Sequence, residues 1–213
     1  MDIILNFKTY PEGTGKKAEE LIHDGNRSNP AKLIGCVQTA DVFRLSMLAK
    51  FPLFVQHADA FEQGRNTGFT TVEAVKANGA QGVLINHSEH RLKFGLLKKT
   101  VERAKVQGLK TLVCTSSLSE GKKILSLNVD FLAYEDPKLI ATGIPVTSKP
   151  GFVKKFVGTL RPLAGNTQLI CGAGISKKED VEQAGELGYD GVLIASAFVL
   201  SENPAGFLKK IMG

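Results

Sequence analysis

The stretch Val83-Leu84-Ile85-Asn86-His87-Ser88-Glu89 joins a short apolar run directly to four polar residues. An apolar run without alternating polar residues is typical of a strand that is buried on both faces of a parallel sheet. Seven other short apolar runs occur along the chain, and a segment with helical spacing follows each of them. The eight predicted strands cover residues 3–5, 33–37, 53–55, 83–85, 111–114, 131–134, 169–171 and 192–194.

Local signals mark where several of the intervening helices begin. Asp41 is predicted to cap the second helix. Asn203 is predicted to cap the last helix, because Pro204 follows it and suits the first helical position. Ser176 and Glu179 have the spacing of a capping box. With the strands, these signals predict a chain in which strands and helices alternate strictly.

Strict alternation of strands and helices indicates either a (β/α)8 barrel or a doubly wound α/β sheet. The count of eight strands favours the (β/α)8 barrel, the TIM barrel architecture, although 213 residues is near the lower end of its size range. The sequence contains no long linker and no shift in composition. We therefore expect one barrel domain over residues 1–213.

Charge and composition narrow the class of partner. The formal net charge is +6, and the lysines occur mostly in pairs on predicted helices. Without a basic tail or interleaved aromatic residues, this pattern favours a solvated basic surface over nucleic-acid binding. No apolar run is long enough to cross a bilayer, so we expect no membrane partner.

The three cysteines indicate the redox compartment. Cys36, Cys114 and Cys171 are far apart and lie in or beside apolar runs, as expected for reduced thiols in the core. No Cys-x-x-Cys pair is present to indicate a metal site. The residues from Met1 to Asn6 do not resemble a secretory signal, and we expect a cytoplasmic protein.

In a barrel, catalytic residues lie where the strands end at the carboxyl side. Asn6 and Lys8 follow the first predicted strand and are expected to share a face, since they are two residues apart. His87 follows the fourth strand and Glu135 the sixth. Small residues follow the last two strands, where barrels often bind phosphate.

Each of these residues also has an ordinary structural interpretation. Lys8 suits an exposed strand end, His87 a core or capping histidine, and Glu135 a solvated loop carboxylate. The segment Gly172-Ala173-Gly174 suits a simple turn. The joint placement of an amide, an ammonium, an imidazole and a carboxylate at one rim favours the functional interpretation.

The same segments resemble the triosephosphate isomerase family. Asn6-Phe7-Lys8 is similar to the family's opening motif, and Asn86-His87-Ser88-Glu89 to the segment with its catalytic histidine. Tyr134-Glu135 resembles the segment with its catalytic glutamate. The segments 171–175 and 191–197 are similar to its two phosphate loops. The motifs occur in the family's order over nearly the whole chain, and the compact length is most similar to the archaeal branch.

The resemblance implies a reaction and a set of residues. It implies interconversion of dihydroxyacetone phosphate and D-glyceraldehyde 3-phosphate in glycolysis and gluconeogenesis, without cofactor or metal. The implied catalytic residues are Asn6, Lys8, His87, Glu89 and Glu135. The implied phosphate-binding residues are Ala141, Gly172, Gly174, Ala195 and Ser196. The implied lid includes Asp136, Pro137, Thr142 and Gly143.

The resemblance also implies self-association. Residues 64–68, with Thr67 and Gly68, resemble the loop through which members of the family form dimers. We expect a homo-oligomer, either a dimer or a tetramer, and the archaeal likeness favours the tetramer.

Two other functions compete with this interpretation. One is a different barrel enzyme that acts on a phosphorylated sugar or biosynthetic intermediate. The other is a catalytically weak relative that only binds sugar phosphates or partners. The chain departs from the family pattern at three positions: Asp136 stands where proline is usual, Ala141 where glycine is usual, and His90 where arginine is common. Asp136 and Ala141 are the two departures that support the second alternative.

Overall fold

Eight parallel strands close into a barrel in the computed structural model, which describes residues 1–135, 150–172 and 174–213. Each strand pairs with the next in the chain, and β8 returns to pair with β1. The strands are β1 (Asp2–Asn6), β2 (Leu33–Val37), β3 (Leu53–Val55), β4 (Gly82–Ile85), β5 (Lys110–Thr115), β6 (Phe131–Tyr134), β7 (Gln168–Gly172) and β8 (Gly191–Ile194). The prediction of a (β/α)8 barrel is confirmed.

Helices surround the barrel. In the described part of the chain they are α1 (Gly15–Arg27), α2 (Thr39–Ser46), α3 (Val72–Ala77), α4 (Phe94–Val106), α5 (Leu118–Leu125), α6 (Pro150–Ala164), α7 (Lys178–Glu186), α8 (Ser196–Val199) and α9 (Pro204–Met212). The single-turn helix α8 was not predicted, because four residues are too few to show helical periodicity. None of these helices is both long enough and apolar enough to span a bilayer.

Two apolar layers hold the barrel together. The interior is filled by side chains that alternate along the strands, and the rings of Phe54 and Phe131 meet there with centroids 6.0 Å apart. The outward-facing side chains of the strands pack against the helices in a second, larger cluster. Because both faces of each strand are buried, the strands show the continuous apolar runs seen in the sequence.

The expected helix caps are correct only in part. Asn203 caps α9, and its Oδ1 accepts a hydrogen bond from the backbone N–H of Gly206 at 2.9 Å. Asp41 does not cap α2, because that helix begins at Thr39, directly after Gln38, the last extended residue. Asp41 instead accepts a hydrogen bond from the backbone N–H of Gly15, where α1 begins.

The predicted capping box of Ser176 and Glu179 is also wrong. Helix α7 begins at Lys178, which moves the capping positions by one residue. The carboxylate that bonds the free backbone N–H groups is therefore that of Asp180, which accepts from Ser176 at 2.9 Å and from Lys177 at 3.2 Å. The sequence correctly indicated a helix start at this place, but Asp180, one residue after Glu179, supplies the capping carboxylate.

The tight interior makes a glycine at the start of β4 necessary. A Cβ atom added to Gly82 would lie 2.5–2.6 Å from ring atoms of Phe54. We expect Gly82→Ala to lower the free energy of unfolding by about 1–3 kcal/mol, the usual cost of overpacking a core. Urea unfolding of the purified protein measures this change.

Gly158→Ala is the matched control, because a Cβ atom on Gly158 in α6 would meet no atom within 4 Å. Removing a glycine from a helix interior should stabilise the protein by up to about 1 kcal/mol. Equal effects of the two substitutions would contradict the proposed contact with Phe54.

Candidate active site

His87 lies two residues after the end of β4, at the carboxyl rim of the barrel, with 7% of its surface exposed. Its Nδ1 accepts a hydrogen bond from the backbone N–H of Glu89 at 3.2 Å, while the Glu89 carboxylate is farther away, at 3.5 Å. Because the accepting nitrogen carries no proton, the hydrogen of the neutral ring is on Nε2. Nε2 lies 3.0 Å from Oε1 of Glu135. Nε2–H therefore donates to this carboxylate.

Glu135 directly follows β6 and is 5% exposed. Burial raises the pKa of this carboxyl, but hydrogen bonds from His87, from the Cys114 thiol and from the Ser88 backbone N–H lower it by more. The Ser88 nitrogen is 3.4 Å from Oε2. With its pKa held below the ordinary value, Glu135 is a carboxylate at neutral pH and is able to accept a proton.

Asn6 and Lys8 lie beside this pair, but strand alternation is not the reason. Strand β1 ends at Asn6, and Lys8 has a φ of 48°, so Lys8 lies in a turn. Oδ1 of Asn6 accepts a hydrogen bond from the Lys8 backbone N–H at 3.0 Å and fixes this turn. The Lys8 ammonium then lies 2.7 Å from the Glu89 carboxylate. Both side chains therefore reach the same rim, as expected, but a local hydrogen bond and not strand alternation brings Lys8 there.

A cavity of about 490 Å³ opens at this rim. Lys8 and His87 both line it, so an ammonium and an imidazole face the same space. Glu135 contacts His87 from the inner side. The cavity is lined by Asn6, Lys8, Thr9, Tyr10, Gln56, His57, Leu84, His87, Glu89 and His90. A small anion with a carbonyl group would meet complementary charge here.

Comparison with known proteins agrees with this geometry. The family model described as triosephosphate isomerase matches residues 1–212. The chain belongs to the triosephosphate isomerase family. As a member, it is an isomerase, and the resemblance seen in the sequence is confirmed.

Several similar relatives come from archaea and are named triosephosphate isomerase. The protein from Methanobacterium bryantii is 37% identical over 206 residues, which cover 95% of this chain and 91% of the relative. The protein from Archaeoglobus fulgidus is 36% identical, and the match covers 99% of this chain and 96% of the relative. The protein from Methanocaldococcus jannaschii is 34% identical, and the match covers 100% of this chain and 99% of the relative.

The residues expected at the family's phosphate loops lie at two neighbouring strand ends. Gly172 ends β7, and a Cβ atom there would be 2.9 Å from Cγ of Glu135 and from the Tyr134 carbonyl oxygen. Only glycine permits this approach of β7 to Glu135. Gly174 follows with a φ of 74°, and Ala195 directly precedes α8, which begins at Ser196.

The lid residues Asp136, Pro137, Thr142 and Gly143 and the phosphate-binding Ala141 lie outside the described residues.

Thr67 and Gly68 of the expected dimer loop lie in an exposed connection between β3 and α3. Asp59 closes this connection, because its carboxylate accepts from the Thr70 backbone N–H at 2.7 Å. The rings of Phe61 and Phe69 pack on each other in the same connection, with centroids 4.3 Å apart.

Two groups near the site were not identified from the sequence. The first is Cys114, treated only as a core thiol. It ends the interior row of β5, and its pKa is raised by burial and by the neighbouring Glu135 carboxylate. The thiol therefore stays protonated and donates a hydrogen bond to Glu135. Its place at the carboxyl end of a strand was the available signal.

The second group is Glu120 with Arg91 and Asn86. The Glu120 carboxylate forms an ion pair with Arg91 and accepts a hydrogen bond from the Asn86 side-chain amide at 3.2 Å. Burial raises its pKa, but the ion pair with Arg91 and hydrogen bonds from Ser116 and Thr115 lower it from an ordinary value of 4.5 to about 2. The sequence offered the signal Ser117-x-x-Glu120, which has the spacing of a capping box. In the structure the Glu120 backbone N–H donates to Ser117 Oγ, but the Glu120 carboxylate accepts from the Ser116 backbone N–H instead of that of Ser117.

The depressed pKa of Glu120 predicts a pH-dependent stability. A carboxyl with a lower pKa in the folded state stabilises the protein above its unfolded pKa, and this contribution is lost as the pH falls. We therefore expect Glu120→Gln to lower the melting temperature above pH 4.5. The difference from the original protein should shrink between about pH 4.5 and 2. Calorimetry across this range measures it.

Glu182→Gln is the control, because Glu182 pairs with Lys178 at 3.6 Å on the exposed surface of α7. Its effect should be small at every pH. A difference for Glu120→Gln that grew as the pH fell would contradict the ion pair.

Proposed function

We propose that the chain interconverts dihydroxyacetone phosphate and D-glyceraldehyde 3-phosphate, in the glycolysis and gluconeogenesis of the cytoplasm. One catalytic domain over residues 1–213 would carry the reaction. The observation that carries the proposal is the 3.0 Å contact between His87 Nε2 and the Glu135 carboxylate, beside a cavity that Lys8 also lines. Family membership and the names of the archaeal relatives support the substrate.

Glu135 acts as the base. Its ionised carboxylate removes a proton from the carbon next to the carbonyl, and the electron pair of that C–H bond moves to the carbonyl oxygen. An enediolate results. The proton then returns from Glu135 to the neighbouring carbon, while the hydroxyl proton of the substrate moves from the oxygen that becomes the new carbonyl to the oxyanion. This second transfer completes the isomerisation. Since every proton that moves is held by the chain or the substrate, the reaction needs no cofactor and no metal.

His87 acts as the hydrogen-bond donor to the developing oxyanion. In the free protein its Nε2–H points at Glu135, so the substrate oxygen takes the place of that carboxylate as the acceptor. The ring nitrogen Nε2 supplies the hydrogen bond in this step. Lys8 supplies the positive charge, and the Asn6 side chain stabilises the turn that carries Lys8. Glu89 contacts both groups: its carboxylate binds Lys8 Nζ, and its backbone N–H donates to His87 Nδ1.

The phosphate group binds at the ends of β7 and β8. Backbone N–H groups at Gly172, Gly174, Ala195 and Ser196 are the proposed donors, joined by Ala141. The short helix α8 supports this proposal, because barrels often bind phosphate between the last two strands and a short extra helix. Residues 136–143 act as the lid, which excludes water from the enediolate.

Replacing the base tests the mechanism. We expect Glu135→Gln to lower kcat by about 10²–10⁴-fold, because the amide cannot accept the proton. KM should change little, since the lost interaction acts in the transition state. A coupled assay of glyceraldehyde 3-phosphate isomerisation measures both constants.

Glu102→Gln on the exposed face of α4 is the control and should keep the original rate. Near-full turnover of Glu135→Gln would remove Glu135 from the mechanism. Tight binding of a phosphorylated transition-state mimic by the unmodified chain, without any turnover, would instead favour a relative that only binds sugar phosphates.

We also propose that the chain forms a homo-oligomer, with a tetramer favoured over a dimer. The exposed connection between β3 and α3, with Thr67 and Gly68, forms the interface. The exposed aromatic pair of Phe61 and Phe69 supports this, since 51% of the Phe69 surface is open to solvent in the single chain.

Light scattering tests the assembly. We expect a mass of two or four times the 22.9 kDa of one chain, and Phe69→Asp should shift it toward the single chain, because a carboxylate is costly to bury. Leu163→Asp, on an exposed position of α6, is the control and should leave the mass unchanged. A single-chain mass for the original protein at working concentration would refute the proposal.

A further inference from the structure

We propose that Asn86 is a positioning residue that holds His87 in the direction from which Nε2 meets Glu135 and the substrate. Asn86 stands between the last residue of β4 and His87. The kinetic part of this inference rests on the proposed function, whereas the placement of the His87 ring can be tested without it.

The backbone at Asn86 turns the chain in a way that few residues adopt. Its φ is 62°, in the left-handed region that disfavours side chains, although asparagine tolerates it better than most. One left-handed residue between the strand and His87 decides where the histidine side chain points. Such a conformation persists only when surrounding contacts hold it.

The side chain supplies those contacts. Asn86 is 1% exposed, and its Nδ2 donates to the Cys114 carbonyl oxygen of β5 at 2.9 Å. Its Oδ1 accepts from the Leu92 backbone N–H at 3.0 Å. One amide therefore ties the start of the His87 loop to its end and to the neighbouring strand.

The Glu120–Arg91 pair fixes the orientation of this amide. Nδ2 of Asn86 also donates to Glu120 Oε1 at 3.2 Å, so its two hydrogens face a carbonyl and a carboxylate. Reversing the amide would set its oxygen against both acceptors. Arg91 bonds the same carboxylate and the Asn86 carbonyl oxygen, at 3.3 Å for the latter.

Strand β5 thereby sets the positions of both His87 and Glu135, the two residues that act in the proposed reaction. On one side, the Cys114 carbonyl oxygen holds Asn86 and with it His87. On the other side, the Thr115 carbonyl oxygen accepts from the Glu135 backbone N–H at 3.0 Å. The separation of His87 and Glu135 depends on two adjacent residues of one strand.

Replacing Asn86 by glycine keeps the left-handed backbone accessible and removes only the amide. We expect kcat of Asn86→Gly to fall by about 10- to 100-fold, since small displacements of a catalytic group have effects of this size. KM should stay within about twofold, because the residue does not bind substrate.

Asn128→Gly is the matched control. Asn128 is also left-handed, with a φ of 53°, but it is exposed and precedes β6 at the opposite end of the barrel. It should keep the original kcat. An Asn86→Gly variant with the kinetics of Asn128→Gly would overturn the inference.

A double-mutant cycle separates positioning from general stabilisation. If Asn86 acts through His87, adding Asn86→Gly to His87→Gln should lower kcat by less than about twofold further. Losses that multiply would mean that Asn86 acts independently of His87, and the inference would fail. If Asn86→Gly does not fold, Glu120→Gln takes its place in the cycle, with a smaller loss of kcat and the same lack of additivity expected.

The ring of His87 reports on its placement directly. Nitrogen-edited NMR should show a hydrogen-bonded Nε2–H proton, assigned by its disappearance in His87→Gln. We expect this signal to shift or broaden in Asn86→Gly and to stay unchanged in Asn128→Gly. An unchanged signal in Asn86→Gly would refute the inference. Absence of isomerase turnover in the original protein would refute the proposed function while leaving this test intact.

Discussion

The closure of eight parallel strands is the constraint on which the site depends. Because every strand points the same way and β8 pairs with β1, all carboxyl ends meet at one rim. Lys8 and Glu89 are 81 positions apart in the chain, yet their charged atoms are 2.7 Å apart. The motifs are therefore dispersed in the sequence and converge only when the barrel is closed, so the site cannot form before the fold does.

Burial and hydrogen bonding act against each other at Glu135. Burial alone would raise its pKa, and donors from His87, Cys114 and Ser88 keep it low in the free protein. On the proposed mechanism, the substrate oxygen takes the His87 hydrogen bond away while the carboxyl stays buried. The carboxylate then loses a stabilising donor and becomes a stronger base when its substrate arrives.

Properties of single strands were predictable from the sequence, and properties that depend on contacts between elements were not. The apolar runs predicted all eight strands. Their positions at the strand ends marked four polar residues as candidates for the site: Asn6, Lys8, His87 and Glu135. The expected cap at Asp41 failed because the first residue of a helix depends on how the preceding strand ends. Asn86 and Cys114 were missed because their roles arise from β5 lying beside β4 and β6.

The exposed connection between β3 and α3 is joined to His87 by a short series of contacts. The backbone N–H of His90 donates to the His87 carbonyl oxygen at 2.8 Å, and the His90 ring stacks on His57 with centroids 4.1 Å apart. His57 Nε2 lies 3.2 Å from Asp59, whose carboxylate holds Thr70. If this connection forms the proposed interface, association fixes Asp59 and, through the stacked rings, limits the motion of the loop that carries His87.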